Sequence, residues 1–237
     1  DGKGLGQARK IVRYANNSNP EIIISPAWDV IPDATSKVSI TRAIWNSYMV
    51  DNQIDIRGCL KSNANLDNSG YIGWWSPSLD STIEGNKQYD SNGIVLGTQY
   101  LKDSIILSYS GEVRNNLVDG EYKYPASYGG IDLWYGSWYE YPNPVLGNDV
   151  VVSHNQVRNA DGLRGGGLGV SRSWHTSANP YWKEILMHHN SVKDVDSAGI
   201  NIEASFVWNS VLYKNTFEDV PAGKEIVDHG TNTVIVS

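Results

Sequence analysis

The chain has 237 residues and a formal net charge of −7, from 26 acidic and 19 basic side chains. That balance argues against a nucleic-acid partner, because phosphate binding needs a basic footprint, and there is no run of about eighteen apolar residues to enter a membrane. Hydrophobic residues at 40% and charged residues at 19% mark a globular chain. Its aromatics are 9 Trp and 14 Tyr against 2 Phe, rings with a polar edge that suit half-wet surfaces.

The sequence opens Asp1-Gly2-Lys3 without a leader, so it reads as a mature form or a piece of a larger polypeptide. Residues 1–35 form the first division. The spacing of Ala8, Ile11, Val12 and Ala15 predicts a short helix over Leu5 to Ala15, stopped by Asn16-Asn17-Ser18-Asn19-Pro20. This segment either caps the open end of the domain formed by residues 36–237 or is a loop excursion from a coil.

Residues 36–237 carry a repeat. An aliphatic residue, two variable residues, an asparagine, one variable residue and an apolar one recur from Met49 to Ile54, Val113 to Val118, Val152 to Val157, Met187 to Val192 and Leu212 to Phe217. Ile83-Glu84-Gly85-Asn86 is a partial copy. The asparagines fall at 52, 86, 116, 155, 190 and 215, at intervals of 34, 30, 39, 35 and 25. A second pattern, a glycine followed by two aliphatics flanking one variable residue, keeps step with it. It appears at Gly93-Ile94-Val95-Leu96, Gly130-Ile131-Asp132-Leu133, Gly167-Leu168-Gly169-Val170 and Gly199-Ile200-Asn201-Ile202. Uneven intervals around fixed strand motifs predict a β-solenoid whose turns absorb insertions, with asparagines bonded up the stack. The expected fold class is all-β.

These motifs resemble the right-handed parallel β-helices of the pectate-lyase-like group. The resemblance covers roughly residues 38–237. It concerns the fold, and implies a protein that acts on or binds polysaccharide. The polygalacturonase signatures Asn-Thr-Asp, Gly-His-Gly and Arg-Ile-Lys are absent, and no catalytic residue is carried over.

Two aromatic insertions follow the glycine strands of adjacent coils. One holds Trp134, Trp138 and neighbouring tyrosines; the other holds Trp174 and His175 and continues to Tyr181 and Trp182. They are expected to form two walls of a sugar-binding cleft, joined by Arg164 and Arg172. In the glycine strands one residue points outward, giving the file Val95, Asp132, Gly169 and Asn201. Asp132 and Asn201 should flank a notch at Gly169, roughly 9.6 Å apart, with Glu203 beside it. An acidic turn file runs Asp90, Asp119 with Glu121, Asp161, and Asp194 with Asp196. Stacked carboxylates would raise one another's pKa, or their oxygens would bind Ca2+.

The expected function is a secreted or cell-surface glycoside hydrolase on a neutral or weakly charged polysaccharide. Asp132 and Asp161 are its candidate carboxylates, with Asp119, Glu121 and Glu203 in reserve. Rung spacing favours inversion. A non-catalytic polysaccharide-binding module and a polysaccharide lyase are the alternatives. No metal ligands are assigned: no His/Cys cluster has zinc spacing, and His188-His189 is explained by packing inside the asparagine motif.

Overall fold

The computed structural model describes residues 3–4, 7, 9–15, 21–36, 38, 40, 43–57, 71–74, 77–101, 104–106, 108–121, 130–137, 147–160, 166–173, 182–203 and 207–237. The described residues are all-β, without a helix. They fall into two units, Asp1–Ile40 and Thr41–Ser237.

In the first unit the expected helix is replaced by a hairpin. Lys10–Ala15 pairs antiparallel with Glu21–Ser25, from Lys10 opposite Ser25 to Ala15 opposite Glu21. The helical reading took Ile11 and Val12 in isolation. Both are β-branched, and Ile22, Ile23 and Ile24 lie just beyond the asparagine-rich link, so strand pairing sets Ile11 opposite Ile24, with Val12 at a register shift between Ile11 and Arg13. A single short helix has no such support. The unit is tied together by polar bonds: Gln7 Nε2 donates to the Val30 carbonyl at 2.7 Å, and Arg9 pairs with Asp29 at 2.6 Å.

The second unit consists of three sheets, parallel apart from the hairpin of Ile94–Leu101 with Ser104–Ile106. The chain visits the sheets in a fixed order. Ser108–Arg114 lies in the ten-stranded sheet, Leu117–Glu121 in the six-stranded sheet and Ile131–Ser137 in the seven-stranded sheet. The next pass repeats this with Gly147–Ser153, Gln156–Arg158 and Leu168–Ser173, and the one after with Trp182–His188, Ser191–Lys193 and Ile200–Ile202. Each strand is in register with its counterpart one pass on, an arrangement compatible with a β-helix.

Three buried columns result. Met49, Ile83, Val113, Val152, Met187 and Leu212 pair in succession along the ten-stranded sheet. Ile72, Ile94, Ile131, Leu168, Ile200 and Ile226 do so along the seven-stranded sheet. The six-stranded sheet contributes Ile54, Gln88, Val118, Val157, Val192 and Phe217. Apart from Gln88, a buried polar side chain, the columns are apolar, as parallel strands require, and each fully buried aliphatic side chain contributes about 1.5–3 kcal/mol.

Between the first and third columns stand the six asparagines. The side-chain Oδ1 of Asn86 accepts from the backbone N–H and the side-chain amide of Asn52, both at 2.9 Å. The same pair of bonds joins Asn86 to Asn116, Asn116 to Asn155, Asn155 to Asn190 and Asn190 to Asn215. From Asn86 onward each amide also donates to a carbonyl of the preceding pass: Met49, Ile83, Val113, Val152 and Met187 in turn. The ladder therefore satisfies the polar groups that the corner removes from the sheets. The residue before each asparagine is left-handed: Asp51, Gly85, Asn115, His154, His189 and Lys214 have φ between 49° and 67°. Glycine, asparagine and aspartate enter that region at least cost, and histidine is also enriched there.

Candidate functional site

The expected notch on the seven-stranded sheet is closed. Asp132 points to the outer face as its alternation with Ile131 and Leu133 requires, yet it is fully buried. Its partner one pass on is Gly169, whose missing side chain leaves room for a diagonal reach to Ser171. Ser171 donates its backbone N–H to Asp132 Oδ1 at 3.2 Å and its hydroxyl to Oδ2 at 2.5 Å. Val95 and Trp134, on the same outer face, are also buried and pack together with Tyr71. Both carboxylate oxygens of Asp132 are thus engaged away from solvent, where an open flank for a sugar was expected. Asn201 and Glu203 are half-buried beside it.

The reserve carboxylate Asp119 does not belong to a column of like charges. It is opposite Arg158 on the next strand and pairs with it at 2.7 Å, while Asn159 Nδ2 donates to its other oxygen at 2.9 Å. The hydrogen bond from Arg158, helped by Asn159, holds the Asp119 carboxyl below the usual aspartate range. This is opposite to the rise expected of stacked acids. Asp90 and Asp194 stand one position beyond the column of Asp119, after Tyr89 and Lys193, at left-handed turn positions, the local role for which aspartate is suited. Asp161 lies outside the described residues, and Glu121 is placed by its backbone alone, at the end of Leu117–Glu121.

Among the aromatics, Trp182 is not part of a wall. It opens the strand Trp182–His188, is fully buried and sits opposite Gly147. The positions below it in the same column are Ser78, Ser108 and Gly147, small residues that leave the interior space its indole fills. Trp134 is buried on the outer face, as above. Trp138, Arg164, Trp174, His175 and Tyr181 lie outside the described residues, and Arg172 is placed by its backbone alone.

The anchors of the two insertions are described. Residues 138–146 leave from the strand Ile131–Ser137 and residues 174–181 from Leu168–Ser173, strands that pair up to Gly136 opposite Ser173. They re-enter the ten-stranded sheet at Gly147 and Trp182, which are again opposite one another.

A cluster that includes His188 and His189, which the sequence assigns to packing, lies at the C-terminal ends of two inner strands of the ten-stranded sheet, Gly147–Ser153 and Trp182–His188. His154 and His189 hold the same left-handed turn position in consecutive passes, before Asn155 and Asn190. Their rings stack with centroids 5.1 Å apart and planes within 2°. His188, opposite Ser153, stands edge-on to both, 5.3 Å from His154 and 5.2 Å from His189. Burial, followed by the neighbouring His189 and His154, holds His188 below the usual histidine range. A shallow cavity of about 430 Å³ adjoins the cluster, lined by His154 and His188 together with Glu112, Arg114 and Ser153. Arg114 is fixed there between Glu84 and Glu112, at 3.0 Å from each. The signal for His154 was present in the repeat, since it and His189 both immediately precede a ladder asparagine.

No protein-family model, curated protein or solved structure matches this chain.

Proposed function

We propose that the chain is a right-handed parallel β-helix, secreted or surface-borne, that holds a neutral or weakly charged polysaccharide on its aromatic insertions without cleaving it. The observation that carries this reading is the shared anchoring of the insertions. Residues 138–146 and 174–181 leave from adjacent strands that end opposite one another and return at residues that are opposite one another. Adjacent strands are about 4.8 Å apart, so the residues that flank the two segments are neighbours at both ends. Together they carry Trp138, Tyr139, Tyr141, Trp174 and Tyr181, and rings of this type bind sugar faces while keeping a polar edge in water. Binding is favoured over hydrolysis because Asp132 is buried and occupied by Ser171, whereas a hydrolase needs two carboxyls flanking the scissile bond.

The test is retention on a panel of immobilised polysaccharides, with product analysis of the same mixtures. At least one glycan should retain the protein, Trp138→Ala with Trp174→Ala should abolish retention, and no new reducing ends should appear. Release of reducing ends that Asp132→Asn removes would restore the hydrolase reading. Unsaturated products would establish a lyase. Failure to retain any glycan, or retention indifferent to both substitutions, rejects the binding reading.

A further inference from the structure

We infer that His154, His188 and His189 form a binding site for one divalent transition-metal ion, Zn2+ first among them. The inference concerns the C-terminal ends of the strands Gly147–Ser153 and Trp182–His188 and the turns after them, and does not rest on the polysaccharide reading. Three of the five histidines in the chain meet at this one place, and one ring nitrogen from each lies within 4.8 Å of the others. His188 Nδ1 and His189 Nδ1 are 2.9 Å apart. Two imidazoles on one zinc, each bonded at about 2.0–2.1 Å, hold their nitrogens roughly 3.3 Å apart in a tetrahedral arrangement. The His188–His189 pair is therefore already near ligand spacing. His154 completes the set by turning its exposed ring, which gives up its stacking on His189.

The backbone prepares the site. His154 and His189 sit on turns whose left-handed φ values, 55° and 54°, are fixed by the bonds of Asn155 and Asn190 in the ladder. Ligand positions held by a rigid frame lose little entropy on binding. The donor set selects the ion. Three imidazoles without a carboxylate suit Zn2+, Ni2+ or Cu2+ and are a poor match for Ca2+ or Mg2+, which take oxygen ligands. Three protein ligands also leave zinc one position for water. The competing explanation is ring packing alone, because His189 also stands edge-on to Tyr213 at 5.3 Å.

The repeat supplies substitutions that the fold already tolerates. Asparagine occupies the position of His154 one pass earlier and of His189 two passes earlier, as Asn115, and serine occupies that of His188 one pass earlier, as Ser153. Chelator-treated full chain is titrated calorimetrically with ZnCl2, and its metal content after dialysis is measured by mass spectrometry. Wild type should take up one Zn2+ per chain and unfold at a higher temperature with the metal bound. His154→Asn alone should weaken Zn2+ binding at least about tenfold, and the variant combining H154N, H188S and H189N should abolish it while keeping its β-sheet circular dichroism. His229→Asn should change nothing. Absence of stoichiometric zinc in wild type, preference for CaCl2, or undiminished binding by His154→Asn would each overturn the site, the last by showing that the third ligand is not His154. Should the triple variant lose its fold, the His154→Asn titration still decides.

Discussion

Removing one rung from the middle of the asparagine ladder should be far more costly than removing one from its edge. In Asn116→Ala, Oδ1 no longer accepts from the Asn86 backbone N–H and side-chain amide, both at 2.9 Å. The amide no longer donates to the Ile83 carbonyl at 3.0 Å, the Arg114 carbonyl at 2.9 Å or Asn155 Oδ1 at 2.9 Å. Asn86 Nδ2 keeps bonds to Met49 and Glu84, and Asn155 Oδ1 keeps the Asn116 backbone N–H. The buried Asn86 N–H loses its acceptor. Such an orphan costs about 1–3 kcal/mol, and each other lost bond about 0.5–1.5 kcal/mol before any relaxation or water entry. These losses together span about 3–9 kcal/mol, and a net cost of about 4 kcal/mol after relaxation and water entry lowers the unfolding midpoint by roughly 10 °C in a chain of this size. Asn52→Ala removes two donated bonds, to Val50 and Asn86, from an exposed residue, and should cost about 1 kcal/mol or less. Urea and thermal unfolding of the two variants measure the contrast. Equal losses in both, or a loss below about 1 kcal/mol for Asn116→Ala, would refute the claim that the ladder's buried bonds govern the corner.

Gly147→Ala places a methyl carbon 2.0 Å from Trp182 Cε3. The indole is fully buried and has nowhere to retreat, so a loss of about 2–3 kcal/mol is expected. Adding Trp182→Leu should give a double variant more stable than the sum of the single effects predicts, and strict additivity in denaturation would reject the contact. For Asp119, the carboxyl pKa is depressed in the folded state. Its contribution is therefore present above the ordinary aspartate value of about 3.9 and lost as pH falls through the lower folded value. Asp119→Asn should cost at most about 1 kcal/mol at neutral pH, and that difference should vanish in acid and shrink in high salt. A difference that grows on acidification would mean the pairing with Arg158 has been misread.

The frame was legible because its signals repeat. Six asparagines in one motif and four glycine strands in step with them gave the ladder and the buried columns, since register in a stack is fixed by which residues recur at equal offsets. The parts that were misread depend on contacts outside any one repeat. Alternation correctly placed Asp132 on the outer side of its strand, but period two says nothing about a further layer beyond that face. Val95, an aliphatic in the same outward file, was the available hint. Trp182 was grouped with the aromatic insertion because it follows Tyr181 in sequence. Its column, with Ser78, Ser108 and Gly147 below it, shows that the interior had reserved space for a large side chain. The hairpin of the first unit was hidden for a different reason: helical spacing over Leu5 to Ala15 was weighed without the isoleucine run at 22–24 that completes it. His154 is distant from His188 and His189 in sequence, and only the stack, which brings together positions 35 residues apart, makes them neighbours.

The ladder also has a direction. Each amide-to-amide bond between successive asparagines runs from a donor on the earlier pass to an acceptor on the later one, from Asn52 toward Asn215. The amide dipoles therefore add, and each bond polarises the next in the same sense. A stack built this way is a vector. Another stack of the same kind continues it only head to tail, with acceptor meeting donor. A twofold axis would set like groups against each other, so the isologous pairing that suits most dimers is unfavourable for joining one ladder to another.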